Sequence, residues 1–465
     1  MARLIAIVAL VCAVTVGFIV IVYTSDHLKP VTIIRNPPAF EVEAAPSNIQ
    51  PTFQAISTVS PIPSLSEIDS TTIPCDNYRS TAGFLNIHGE KATFVWQPLY
   101  ESTDTSCQHK DPTDNLKILK DSKTLPFYLQ DKLVLTYSDS QDRNTIDFVC
   151  DWAKGSFYSV ALNGSILIPQ ESALRGDAKL CVIRKNDHVL VWLSVFQYGA
   201  TMLSSKNGGK FTSDNSTLNT HDRIQHIKTA LRHLPKVFFP ELCIKHGVKC
   251  TVEPEFLTIS PKAFAKDFPF PKFSKQTLKA LNSLPPAPEG WIPTPDIVIT
   301  QSGLWDILDL SPDVLQHEKV MREFIPFWKE SMQKNLMIPL QEAFGNLVHN
   351  SVIPTSSSAP VKNKFLFDTN ANGDRVLHHW FLRTTPLPKS QYDVRPTRMN
   401  ALNEMYRTNE LMDGFTGESW GIIDWDQIVR GYELVGPDGT HLIEHGYKAY
   451  AQVVLSRLEL LGYVV

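Results

Sequence analysis

Five short apolar runs recur between residues 132 and 424: KLVLTY (132–137), HVLVWLSVF (188–196), DIVIT (296–300), HHWFL (378–382) and WGIID (420–424). Each is strand-length and rich in β-branched or aromatic residues, and between them lie stretches with helical spacing of apolar positions. The helical candidates are DRIQHIKTALRHL (222–234), a long one within 316–348, one near 396–412, and a last one from His441 to about Leu461. Near-continuous apolar strands alternating with helices predict a parallel sheet covered on both faces. The longer connections, 204–221, 283–295 and 351–363, are read as insertions on that core. The expectation is an α/β domain, a three-layer α/β/α sandwich with a mostly parallel sheet, whose site lies at the carboxyl ends of the strands.

The N-terminus has a different pattern. From Leu4 to Tyr23 the sequence LIAIVALVCAVTVGFIVIVY holds no charge, long enough to span a bilayer as one helix. A cleaved signal peptide is the competing reading, but no A-x-A-like site precedes Thr24-Ser25-Asp26, so residues 1–23 are expected to be an uncleaved signal anchor. Arg3 before the span and Lys29 and Arg35 after it leave the positive-inside rule undecided. Residues 24–73, rich in Pro, Ser and Thr, bury too little apolar surface to order themselves and are expected to form a disordered stem. The folded lumenal domain is then expected over 75–465.

Composition adds compartment and excludes one class of partner. The chain has 465 residues with 44 basic and 48 acidic side chains, net −4, and no basic block, so no nucleic-acid partner is expected. Cys12 lies in the apolar span. The other six cysteines, Cys75, Cys107, Cys150, Cys181, Cys243 and Cys250, are an even number that suits up to three disulfides in an oxidising compartment. Fifteen connectivities are open, and only the short Cys243–Cys250 loop suggests itself locally. No C-x-x-C spacing is present, so no metal site is expected. The sequons at Asn163 and Asn215 add glycosylation sites. Together these features predict a single-pass type II protein of the Golgi or another secretory-pathway membrane, with its folded domain in the lumen.

Candidate chemistry begins at YSDSQDRN (137–144), where the first apolar run ends in Ser-Asp-Ser. Those residues make an ordinary turn and helix cap. They also suit a nucleophile, Ser140, held at a strand tip with backbone N–H groups nearby. Near the C-terminus, Asp438-Gly-Thr-His441 opens the last helix. A carboxylate there can orient the imidazole and stabilise the imidazolium formed when it takes a hydroxyl proton, or Asp438 can be merely an N-cap. Asp424-Trp425-Asp426 has the D-x-D form of metal-dependent glycosyltransferases, an alternative that leaves the Ser, Asp, His order unexplained. Arg383, ending the fourth run, is either a contact for an anionic or sugar substrate or a surface or packing arginine.

In that order on an α/β chain, these pieces resemble the SGNH (GDSL-like) hydrolase superfamily. DGTHLIEHGYKAYAQ looks like its closing D-x-x-H block. LQDKLVLTYSDSQDRNTIDFVC and PDIVITQSGLWDI look like the GDS-x-x-RN and N-S-G-L-W-D blocks of the PC-esterase branch, which includes the plant trichome-birefringence-like proteins. The anchor, the stem and the early Cys75–Cys107 segment suit the same branch. The similarity spans roughly 75–465, with three specific blocks. It implies Ser140 as nucleophile, His441 as general base and Asp438 as its orienting partner. Gly199, Gln301 and Gly303 are the oxyanion or substrate candidates it suggests, beside Arg383. Two positions depart from the pattern: Ser138 stands where the GDS glycine is expected, and Gln301 where the Asn is expected. Trp305 stands where many members have the Asn of G-x-N-D.

The function the resemblance implies is acyl-ester chemistry on a glycan or polysaccharide, most simply O-acetyl transfer in the Golgi through an acyl-enzyme. No cofactor is required beyond an acyl donor, acetyl-CoA or an acetylated intermediate. An O-acetyl esterase, a non-catalytic glycan-binding descendant and the D-x-D glycosyltransferase are the alternatives.

Overall fold

The computed structural model describes residues 83–88, 93–98, 114–160, 166–167, 178–197, 199–200, 220–250, 272–308, 318–353, 368–369, 375–386, 395–428 and 441–464, all within one compact unit, Pro63–Val465. The expected anchor and stem, Cys12, Cys75, Cys107, Asn163, Asn215 and Asp438 lie outside these residues. Among the described residues no helix is long and apolar enough to cross a membrane.

Among the described residues thirteen strands and eleven α-helices follow in chain order. The strands are β1 (Gly83–His88), β2 (Thr93–Pro98), β3 (Lys132–Ser138), β4 (Ser156–Val160), β5 (Ile166–Leu167), β6 (Ala178–Lys185), β7 (His188–Phe196), β8 (Ile297–Thr300), β9 (Ser351–Ile353), β10 (Asp368–Thr369), β11 (Arg375–Leu377), β12 (Trp380–Arg383) and β13 (Gly421–Ile423). The helices are α1 (Asp114–Asp121), α2 (Ser140–Trp152), α3 (Thr220–Phe238), α4 (Pro240–Lys245), α5 (Lys275–Ser283), α6 (Leu304–Leu308), α7 (Glu318–Met332), α8 (Ile338–Phe344), α9 (Arg395–Arg407), α10 (Trp425–Ile428) and α11 (Glu444–Val464). A π-helical turn, Gln333–Met337, joins α7 to α8.

Eight strands form the main sheet in the order β13-β12-β8-β3-β7-β6-β4-β5. The five from β13 to β7 are mutually parallel, as the alternating pattern predicts. The rest is detail beyond the expected mostly parallel sheet. β6 pairs antiparallel with β7, and β4 pairs antiparallel with both β6 and β5. The cause is local: Lys185 faces His188 across a two-residue turn, with Asn186 in the left-handed region at φ 57°. So short a connection can join only antiparallel strands. The sheet is therefore mixed and mostly parallel, and the molecule is α/β.

Alternation along the strands sends side chains to two cores. Leu133, Leu135 and Tyr137 of β3 join Val298, Trp380 and residues of α3, α7 and α9 in one cluster. Val134 joins Ile297, Ile299, Phe381 and residues of α2 and α11 in the other. Among the described residues two disulfides add covalent ties: Cys150–Cys181 links α2 to β6, and Cys243–Cys250 closes the short loop singled out in the sequence.

Candidate functional site

The parallel strands end at one level. Tyr137 pairs with Thr300 and Ser138 with Phe196, so the residues following β3, β7, β8 and β12 meet at one edge of the sheet. Asp139 is the single residue between β3 and α2. Its extended backbone (φ −74°, ψ −172°) and a carboxylate that accepts from Gln141 N at 2.8 Å make it the helix N-cap. Ser140 is thus the first residue of a 13-residue helix, where unpaired N–H groups and the helix dipole favour negative charge. Its side chain is buried, and its Oγ lies 2.8 Å from Nε2 of His441. His441 sits on the approach to α11, 301 residues further along the chain. A hydroxyl so bonded to an imidazole can pass its proton to it while the oxygen attacks an electrophile. The structure thus brings together two of the three residues expected to act as a triad; the third, Asp438, is outside the described residues.

Behind Ser140 lies a buried charge cluster that the sequence did not reveal. Arg383, read either as a substrate contact or as a surface or packing residue, is wholly enclosed. Its Nη2 lies 2.6 Å from Asp142 Oδ2 and 3.1 Å from Asp139 Oδ1, and its Nε donates to Asp142 at 2.8 Å. A further bond runs from Nη1 to the Thr384 carbonyl at 3.0 Å. The two carboxylates hold the guanidinium's pKa well above its ordinary value, against the effect of burial. Burial pushes the Asp139 carboxyl up, with Arg383 opposing. Tyr450 of α11 lies under the guanidinium, 5.4 Å from ring centroid to Cζ, and burial raises its phenol.

Ser138, in the place of the glycine, belongs to the same cluster. It is fully buried at the end of β3 and donates its hydroxyl to Asp142 Oδ2 at 2.5 Å. The described non-glycine residues with positive φ do not include it, so the turn does not require glycine's freedom there.

The remaining candidates divide. Gly199, just past β7, has φ +152°, and a Cβ there would fall 2.8 Å from Asp306 Oδ1, so this position requires glycine. Gly303 also has positive φ (+124°), but its N–H donates to Asp306 Oδ2 at 2.8 Å. That bond is the return arm of a cap on α6 and occupies the N–H that would have served an oxyanion. Gln301 is buried at the end of β8. Its Oε1 accepts from Thr385 Oγ1 at 2.9 Å and its carbonyl from Gln197 Nε2 at 2.5 Å. Ser302 Oγ accepts from Ala200 N at 2.7 Å and donates to Asp306, fastening the Gly199 loop to the SGLWD segment.

The D-x-D pair is already partnered. Arg407 binds Asp424 through Nε at 2.7 Å and Nη2 at 2.8 Å, and Asp426 through Nη2 at 2.6 Å. Both carboxylates are engaged by one arginine, an arrangement that fits a structural tie between α9 and α10 better than a cation site. Among the described residues no cluster of three or more His, Cys, Asp or Glu could hold a metal ion. Comparisons with protein-family models, with curated proteins and with solved structures return no match.

Proposed function

We propose that the chain is a serine enzyme of the SGNH kind, with a three-layer α/β/α domain, performing acyl-ester chemistry on glycans in the secretory pathway. The observation that carries this reading is the 2.8 Å contact between Ser140 Oγ and His441 Nε2 at the carboxyl ends of parallel strands, where open α/β sheets place their sites. In the reaction, Ser140 Oγ attacks the acyl carbonyl carbon while His441 Nε2 takes the hydroxyl proton. The tetrahedral oxyanion is met by the N–H groups at the start of α2 and by the Gly199 loop. Collapse expels the donor's leaving group, which receives the proton from His441. The acyl group then passes to a glycan hydroxyl or to water, whose proton His441 accepts and returns to Ser140 Oγ. Asp438 is the proposed orienting partner of His441. The stem and anchor expected at the N-terminus favour O-acetyl transfer in the Golgi, from acetyl-CoA or an acetylated intermediate, over simple hydrolysis.

The test uses the full-length chain, its Ser140→Ala variant and its His441→Gln variant, with a fluorophosphonate probe and an aryl acetate. Labelling of the wild type that disappears in S140A and falls steeply in H441Q supports the reading. Slow acetate release that accelerates on adding a glycan acceptor identifies a transferase, and fast release without acceptor an esterase. Equal background labelling of folded wild type and S140A overturns catalysis and favours a glycan-binding role.

A further inference from the structure

Of the residues gathered at the strand ends, Gln301 has a side chain that is only half engaged. It is buried, as are Thr385 and Asn403. Its carbonyl accepts from Gln197 Nε2 at 2.5 Å, and Gln197 N donates in turn to the Ser138 carbonyl at 2.8 Å. The backbone of Gln301 is thereby tied, through Gln197, to the residue two before Ser140. Its side-chain Oε1 accepts from Thr385 Oγ1 at 2.9 Å. Thr385 is itself gripped through its main chain: its N–H donates to Asn403 Oδ1 at 3.0 Å, and its carbonyl accepts from Asn403 Nδ2 at 2.8 Å. Two residues before Thr385, Arg383 reaches Asp139 and Asp142, which flank Ser140 in the chain. Gln301 Nε2, by contrast, has no hydrogen-bond partner among the described residues and is not one of the sealed polar atoms that lack one. Engaging Oε1 settles which way the amide points, so its two N–H groups open away from Thr385. An unengaged donor on a buried side chain, beside the strand that leads to Ser140, fits an acceptor that arrives from outside.

Resting on the reading of Ser140 and His441 as nucleophile and base, we propose that Thr385 and Asn403 are positioning residues that hold the Gln301 amide so that Nε2 donates to the acyl oxygen as it becomes an oxyanion. Glutamine carries one more rotatable bond than the Asn that the resemblance expects, and left loose it would have to be ordered at the moment of reaction. The Thr385 hydroxyl removes that freedom at the amide end, and the two bonds from Asn403 fix Thr385. The extra methylene carries the amide as far as Thr385. Asn at position 301, although it is the residue the resemblance expects, therefore stops short of this clamp and is the poorer donor in this chain.

The test measures kcat and KM for an aryl acetate, and the rate of Ser140 labelling by the fluorophosphonate, in the full-length chain and in its Thr385→Val, Gln301→Asn and double variants. Valine keeps the shape of threonine and both main-chain bonds to Asn403 while removing the hydroxyl. Each single variant should lower kcat about tenfold or more at unchanged KM, the cost of misplacing a reacting group. The double variant should fall no further than Q301N, because both changes remove the same bond. Thr385→Ser, which keeps the hydroxyl, should recover most of the activity that T385V loses, a rescue that a packing role would not give. Turnover of T385V equal to wild type, turnover of Q301N equal to or above it, or losses that multiply in the double variant each overturn the proposal. If T385V does not fold, Gln301→Met removes the donor and leaves Thr385 in place: a kcat lower by ~10²–10³ is expected, and an unchanged kcat overturns the proposal. A wild type without Ser140-dependent labelling defeats the catalytic reading and this proposal with it, whereas labelling that T385V and Q301N leave unchanged defeats this proposal alone.

Discussion

The Ser138 hydroxyl donates to Asp142 Oδ2 at 2.5 Å, so the side chain standing where the resemblance expects glycine belongs to the cluster that holds the helix opened by Ser140. Oδ2 also takes two nitrogens of Arg383. The departure from the GDS pattern is thus built into the site.

Ser138→Gly should therefore destabilise the protein. It removes a hydroxyl bonded to a charged acceptor, worth about 1.5–3 kcal/mol, and adds backbone freedom in the unfolded chain, worth roughly 0.5–1 kcal/mol. Thermal melting should register a fall of about 2 kcal/mol or more, while fluorophosphonate labelling at Ser140 persists. A variant as stable as wild type would show that the hydroxyl contributes nothing.

Arg383→Met leaves two buried carboxylates without their cation. Breaking a buried pair from one side costs about 3–5 kcal/mol, and chemical denaturation should report a loss of that size. Arg383→Lys should recover little of it, because one ammonium cannot reproduce the guanidinium's fork to Asp139 and Asp142. Full recovery by lysine would mean that charge alone, without geometry, holds the cluster.

At Gly199 the backbone and the surroundings both forbid a side chain. Gly199→Ala places a Cβ against Asp306 at φ +152°, and strain of this kind costs about 1–3 kcal/mol. Displacing a loop that lines the proposed oxyanion site should slow Ser140 labelling about a hundredfold, measured as a pseudo-first-order rate. Unchanged labelling with a lowered melting temperature would assign the glycine to packing only.

His246 sets a pH dependence of stability away from the site. Burial, and then Lys245, push its imidazole down to about 4, and its ring packs edge-on to Trp291 at 5.8 Å between centroids. The folded protein thus disfavours the imidazolium that the unfolded chain forms near its ordinary value of about 6.5. Between those two values the unfolded state binds more protons, so stability present above pH 6.5 is lost as pH falls towards 4. Melting temperatures recorded across that window should fall for wild type and fall less for His246→Asn.

The parallel half of the sheet was legible because β3, β7, β8, β12 and β13 are apolar on both sides, and such runs survive being read one at a time. β6 was not legible. Its AKLCVIRK ends in Arg184 and Lys185, and Asn186-Asp187 is a turn signal only once both flanking strands are seen. The long helix expected within 316–348 is real but changes pitch at Gln333–Met337, which apolar spacing does not report. At the site, Ser140 and His441 were named from motif order, not from periodicity. The Arg383 cluster escaped because its partners are 241 to 244 residues away, and a buried arginine at a strand end looks the same in sequence as an exposed one. Gly303 was named for its place in a motif, but the hydrogen bond that engages its N–H arises only in the folded cap.

The separation of Ser140 from His441 also has a consequence for biosynthesis. The two are 301 residues apart, and His441 is made long after Ser140. At about 5–20 residues per second, a growing polypeptide carries its serine for roughly 15–60 s before the imidazole exists to meet it. Until then the hydroxyl at the tip of β3 has no base, and any chain cut short before His441 is born without one. On the proposed function, reactivity would appear only once His441 and α11 have been made.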